Sequence, residues 1–149
     1  MIGESPIGIP NNIFPLINKV ALGQLDKIQI FGNDWKTPDG TCIRDYIHVM
    51  DLSSGHILGI EHLFNKGPQI LTLNLGTGKG HSVLDLIKMF EKFNKVKIPY
   101  VFTERRPGDS SCTIADNSLT KKILRWEPRR DLKQMCQDGW KWYRINSAK

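Results

Sequence analysis

Phe31-Gly32-Asn33-Asp34-Trp35-Lys36-Thr37-Pro38-Asp39-Gly40-Thr41-Cys42-Ile43-Arg44-Asp45-Tyr46-Ile47-His48-Val49-Met50-Asp51 decides the reading of this chain. Phe31 closes a short strand begun at Ile28-Gln29-Ile30. Gly32-Asn33-Asp34 and Pro38-Asp39-Gly40 are turn chemistry. Residues 42–48 are again extended and carry Arg44, and a helix opens near Val49. The block therefore presents one arginine and a backbone edge from a tightly turned scaffold, which suits a wall that binds an anion.

Outward from this block, strands alternate with helices. Toward the N-terminus, Asn11-Asn12 supplies a preferred cap and Pro15 falls within the first turn of a helix. That helix buries Leu16, Ile17, Val20 and Ala21 and stops at Gly23. A second helix over residues 49–64 sets Leu52, Gly55, His56, Gly59, Ile60 and Leu63 on one face, and its two glycines predict close approach to another element. Residues 70–75 are a short, nearly continuous apolar run, the pattern of a strand covered on both faces. Ser82 and Asp85 have capping-box spacing ahead of a helix that buries Val83, Leu84, Ile87 and Phe90. Residues 99–103 read as a further strand. Residues 117–124 and 131–143 read as helices, the latter burying Leu132, Met135, Cys136, Trp140 and Tyr143. The alternation argues for α/β architecture. Few strands are short and apolar enough to be central, so the sheet is expected to be partial. No repeat or low-complexity linker divides the chain, and residues 1–149 are taken as one region.

Composition excludes several classes. Of the 149 residues, 40% are hydrophobic and 24% charged, as in ordinary globular proteins. No apolar run approaches the roughly 18 residues of a membrane helix, and the first six residues carry no secretory signature. Cys42, Cys112 and Cys136 are odd in number and far apart. They point to reduced thiols in a cytoplasmic protein. The net charge of +6 favours an anionic partner. The basic residues are scattered and lack interleaved aromatics, so nucleic acid is not expected.

Gly76-Thr77-Gly78-Lys79-Gly80 precedes a helix and invites comparison with a dinucleotide loop. G-x-G-x-x-G would need glycine at His81, and no phosphate-loop pattern is met. The glycines are expected to supply a tight turn instead. His48, His56, His62 and His81 lack metal-ligand spacing, so no metal is expected. Trp126, Trp140, Trp142 and Tyr143 read as core or surface cover. Arg44, after a rigid turn, and Arg106, within Arg105-Arg106-Pro107-Gly108-Asp109, are more specific. A guanidinium is a planar fork of donors suited to a pyrophosphate. An ordinary ion pair, for instance of Arg44 with Asp45 or Asp51, accounts for the residues equally well.

Several stretches together carry a family resemblance: Gly8-Ile9-Pro10-Asn11-Asn12, Ile30-Phe31-Gly32-Asn33-Asp34, Pro38 through Asp51, Leu73-Asn74-Leu75-Gly76-Thr77-Gly78, Arg105 through Asp109, Ala115-Asp116, and Asp138 with Trp140 and Trp142. In that order and at those spacings the chain resembles UDP-glucose 4-epimerase, the NAD-dependent sugar-nucleotide isomerase of extended Rossmann type. The resemblance implies a UDP-sugar-binding wall. Asn12 would face the diphosphate and sugar, and Gln29, Ile30 and Phe31 would hold the uracil. Arg44 and Arg106 would grip the pyrophosphate, Asp109 would accept from the ribose hydroxyls, and Thr113 would border the hexose. A residue as small as Thr113 leaves room there, which admits a related UDP-hexose, including an N-acetylhexosamine.

The family's catalytic Tyr-x-x-x-Lys is missing. The residues four after Tyr46, Tyr100 and Tyr143 are Met50, Glu104 and Ser147, and no G-x-x-G-x-x-G occurs. The resemblance thus covers only the C-terminal portion of the enzyme. It implies NAD for the complete enzyme but no NAD site and no catalytic residue in this chain. It also implies a separate N-terminal epimerase part as partner, and a homodimer when complete. The rival expectation is a stand-alone, non-catalytic UDP-sugar-binding module.

Overall fold

A computed structural model describes residue 4, residues 7–8 and residues 10–146. Ile9, within one of the family-like stretches, lies outside the described residues. Strand β1, Ile28–Phe31, alternates buried and exposed positions, with Ile28 and Ile30 directed inward. It pairs in parallel with a strand at Tyr100–Thr103, from Ile28 opposite Tyr100 to Phe31 opposite Thr103. Parallel neighbours need a long crossover, and the intervening chain supplies it.

Three helices close over this pair. Helix α1, Ile13–Ala21, buries Pro15, Ile17, Asn18 and Val20. A later helix, Val83–Asn94, starts at the expected capping box: Ser82 accepts from the Asp85 amide, and the Asp85 carboxylate accepts from the Ser82 amide. The C-terminal helix, Leu132–Asn146, packs against it and against α1. Ile17, Ile28, Ile30, Leu86, Ile87, Phe90, Ile98 and Cys136 form the centre of the core. All three cysteines are free.

In chain order the remaining elements are β2 (Ile43–Arg44), α2 (Val49–Lys66) and β3 (His81–Ser82), followed by the capped helix, α3, and the paired strand, β4. After these come β5 (Cys112–Thr113), α4 (Ser118–Leu124) and the C-terminal helix, α5. β2 is the middle of a second, three-stranded sheet, antiparallel to β3 and parallel to β5. Asp39 joins the turn to this sheet by accepting from the Thr41 amide at 2.9 Å, the Thr41 hydroxyl at 2.7 Å and the Ser82 hydroxyl at 2.5 Å.

Two expectations change, while residues 42–48 hold the expected short strand carrying Arg44, Ile43–Arg44. Residues 70–75 form no strand, and Ile70 is 98% exposed. A strand is defined by its ladder, and no described strand lies beside this segment. It is tied instead to α4 and its N-cap, where the Thr120 hydroxyl donates to the Asn74 carbonyl at 2.6 Å and the Asn117 side-chain amide donates to the Gly76 carbonyl at 3.0 Å. On α2, only Asp51 and Gly55 are buried, while Ile57, Ile60, Leu63 and Phe64 face solvent. Gly55 does make the close approach expected of it, since a Cβ there would lie 2.6 Å from Leu75 Cδ2. Gly59 meets open space.

Candidate functional site

Successive residues on an extended chain point to opposite sides, and the chain at the end of β2, Arg44 and the following Asp45, uses both sides. Asp45 turns to the glycine turn, where one carboxylate oxygen accepts from the Thr77 amide at 2.9 Å. The other accepts from the Gly78 amide at 2.9 Å and the Ala115 amide at 3.3 Å. The turn is therefore an anion cradle already filled by the chain's own carboxylate. Gly76 has to be glycine for this, because a Cβ there would lie 2.5 Å from Asp45 Oδ2.

Arg44 points the other way. Its Nη1 donates to the carbonyls of Ile43 and Ser110, both at 2.8 Å, and its Nη2 lies 3.6 Å from Asp109 Oδ1. Asp109 is also reached by Arg106, whose Nε lies 3.1 Å from Oδ2. The Arg106 guanidinium rests 4.5 Å from the centroid of the Phe31 ring. Two arginines thus share one carboxylate, leaving a surplus positive charge and unspent N–H donors. None of the three is sealed off: the side chains of Arg44, Asp109 and Arg106 are 28%, 21% and 48% exposed. Asp45 and Asp51 are not the partners of Arg44. Asp51 lies at the start of α2, 2% exposed, and accepts from the amides of Arg129 and Arg130 and from the Arg130 guanidinium.

The other predicted residues fall as follows. Thr113 sits opposite Arg44 in the β2–β5 register, its hydroxyl 2.9 Å from that of Ser110. Ile28 and Gly32 direct their amides to β4, to the carbonyls of Pro99 and Thr103. The alternate residues Gln29 and Phe31 therefore present theirs to the outer edge of β1. Ile30 is 2% exposed with its side chain in the core, its carbonyl accepts from the Thr103 hydroxyl at 3.4 Å, and its amide, in phase with those of Ile28 and Gly32, faces β4, so it presents no group to the outer edge. Asn12 stands apart from the arginine cluster: it precedes α1, makes no side-chain cap, and donates to Glu4 at 3.2 Å. Sequence reasoning missed the Phe31–Arg106 stack and the double pairing of Asp109. The tandem Arg105-Arg106 was the available signal, because neighbours in extended chain must serve different faces.

The remaining candidates are structural. His48 is buried, caps α2 by accepting from the Met50 amide, and meets Asp138 through Nε2 at 3.2 Å. Among the described residues, no group of His, Cys, Asp or Glu is placed to hold a metal. Trp126 is buried and donates to Asp51 and Ser54, while Trp140 meets Phe90 edge-on. Burial pushes the Tyr46 hydroxyl up to about 12, which keeps it protonated at neutral pH. No described helix is long and apolar enough to cross a membrane.

A family model described as GDP-mannose 4,6 dehydratase matches residues 3–139. The chain belongs to that family. Within it, the chain is similar to the C-terminal part of UDP-glucose 4-epimerases. It is 48% identical to the one from Bacillus subtilis over 145 residues, 97% of this chain and 42% of the relative. A solved UDP-glucose 4-epimerase from Stenotrophomonas maltophila, with bound NAD and formylated UDP-arabinopyranose, superposes with a TM-score of 0.94 at 49% identity, over 99% of this chain and 44% of that one. The epimerase from Bifidobacterium longum in complex with NAD+ and UDP gives 0.93 at 43% identity, over 98% and 43%. The chain thus spans less than half the length of the relatives it matches.

Proposed function

We propose that this chain is the UDP-sugar-binding C-terminal portion of a UDP-glucose/UDP-galactose 4-epimerase, catalytically incomplete by itself. The observation that carries the reading is the convergence of Arg44 and Arg106 on Asp109, beside the open edge of β1 and the Phe31 ring. A diphosphate offers the two arginines the negative charge that one carboxylate only partly supplies. Displaced from Arg44, Asp109 is free to accept from ribose hydroxyls. Gln29 and Phe31 would receive the uracil at the outer edge of β1, with Ile30 anchoring that edge from the core, Asn12 toward the diphosphate and sugar and Thr113 beside the hexose. Both UDP-bearing ligands of the Stenotrophomonas and Bifidobacterium relatives are consistent with this division of labour.

In 4-epimerisation a hydride leaves C4, the keto sugar turns over, and the hydride returns to its other face. A hexose gripped tightly could not turn, so binding energy is best drawn from the nucleotide that does not react. The residues of this chain provide for the nucleotide. They do not fit NAD: the amides of the glycine turn are committed to Asp45, and no tyrosine precedes a lysine by four. NAD and the proton-transferring groups would come from an N-terminal part acting in the same cytoplasmic enzyme, a homodimer when complete, with no nucleic-acid role.

The test is calorimetric titration of the 149-residue chain with UDP and with ADP. UDP is expected to bind more tightly than ADP. Arg106→Ala is expected to weaken UDP by about tenfold or more, the scale of one lost charged hydrogen bond. Equal affinity for UDP and ADP would reduce the site to a general anion patch. No binding of either by a folded chain would remove the proposal.

A further inference from the structure

The arginine pair that leaves β4 divides its work. Arg105 Nε lies 2.7 Å from Asp34 Oδ1 and its Nη2 donates to the Asp34 carbonyl at 2.6 Å. The face of the same guanidinium lies 4.0 Å from the centroid of a Trp35 ring. Trp35 is itself tied to the end of β1, its indole N–H donating to the Phe31 carbonyl at 3.1 Å. The arrangement requires a bare backbone between them. Gly32 has φ +87, and a Cβ there would lie 2.4 Å from Trp35 Nε1 and 2.8 Å from Arg105 Cγ. The strands, the indole, the planar fork and the glycine thus form one contact set joining the exits of β1 and β4.

The geometry points to Arg105 as a positioning residue: held by Asp34 and Trp35, it latches the segment leaving β4 onto the segment leaving β1, so that Arg106 lies over Phe31 and Asp109 comes within reach of Arg44. This rests on the UDP reading of the Arg106–Asp109 cluster. Arg105 and Asp34 are both substantially exposed, at 42% and 68%. Exposed ion pairs add little to folding stability, so the consequence of the latch falls on binding. With Arg105 released, Arg106 and Asp109 must be ordered when the ligand arrives. A lysine keeps the charge but has neither a fork for two acceptors nor a flat face for the indole.

The experiment compares Arg105→Lys, Arg105→Gln and Gly32→Ala in the full chain with isotope-labelled arginine. The Arg106 Nε–H resonance, shifted by the Phe31 ring beneath it, is followed by NMR, and UDP affinity by calorimetry. The Arg105 variants are expected to unfold at wild-type urea concentrations. In all three the ring shift should be lost and UDP affinity should fall about tenfold, the scale of ordering one or two side chains on binding. Arg105→Lys with wild-type affinity and ring shift overturns the latch, because charge alone would then suffice. If the wild type binds no UDP, the nucleotide reading falls and the latch is judged by the ring shift. Its loss in Arg105→Gln supports the latch, and its persistence refutes it.

Discussion

Asp51→Ala should be the most damaging single-residue truncation at the α2 end of the molecule. The wild-type carboxylate is 2% exposed and accepts from the Arg129 amide at 2.9 Å, the Arg130 amide at 2.8 Å and Arg130 Nη1 at 2.6 Å. A hydrogen bond to a charged group contributes about 1.5–3 kcal/mol, so three would give an upper bound well above 4. One fact lowers it: the Arg130 side chain is 32% exposed and returns to water. The expected loss is about 3 kcal/mol, the lower end of breaking a buried ion pair. The pH dependence carries a sign. Burial alone would raise the Asp51 carboxyl, but the hydrogen bonds from the Arg130 and Arg129 amides and the Arg130 side chain outweigh it and hold it below its ordinary range. A depressed folded value means stability that is present above the unfolded value of about 3.9 and lost as pH falls through the folded one. The assay is urea unfolding followed by fluorescence of buried Trp126, at about pH 7 and at about pH 2. Asp51→Asn serves as a milder variant if alanine prevents folding. A difference below about 1 kcal/mol at neutral pH, or one equally large in acid, would refute the reasoning.

Three further outcomes follow from the same contacts. Arg44→Ala should weaken UDP binding by about 1.5–3 kcal/mol by calorimetry, with unfolding little changed because the side chain is partly exposed. Gly76→Ala should cost about 1–3 kcal/mol in urea unfolding, since its Cβ would collide with Ala115 Cβ at 2.4 Å as well as with Asp45. The chain alone should self-associate in sedimentation velocity through Ile57, Ile60, Phe64 and Ile70, all more than half exposed. Phe64→Ser with Ile70→Lys should reduce that association.

Much of this architecture was legible because local chemistry and tertiary context agree. Ile28 and Ile30 alternate with Gln29 and lie in the core, and Ser82 with Asp85 caps the helix it announces. The turn glycines behave as their spacing requires. Three features were not legible, each for a physical reason. The two-residue strands β3 and β5 are too short to show a period. The apolar run at residues 70–75 states what it would bury but not whether a partner lies in the same chain. Ion-pair partners are chosen by which side of the backbone a residue faces. Asp45 is nearer than Asp109 to Arg44 in sequence, yet the alternation of extended chain sends it to the opposite side. The same alternation separates Arg105 from Arg106 and assigns one to the latch and the other to the cluster.

Complementation tests the central claim most directly. The N-terminal part of the Bacillus subtilis relative, the portion this chain does not cover, would be co-expressed with the 149-residue chain and assayed for conversion of UDP-galactose to UDP-glucose with NAD. Neither piece alone should turn over. Together they should co-purify and turn over, and Arg44→Ala in this chain should abolish most of that activity. A stable, co-purifying pair that neither binds UDP nor turns over, or turnover by this chain alone, would contradict the account.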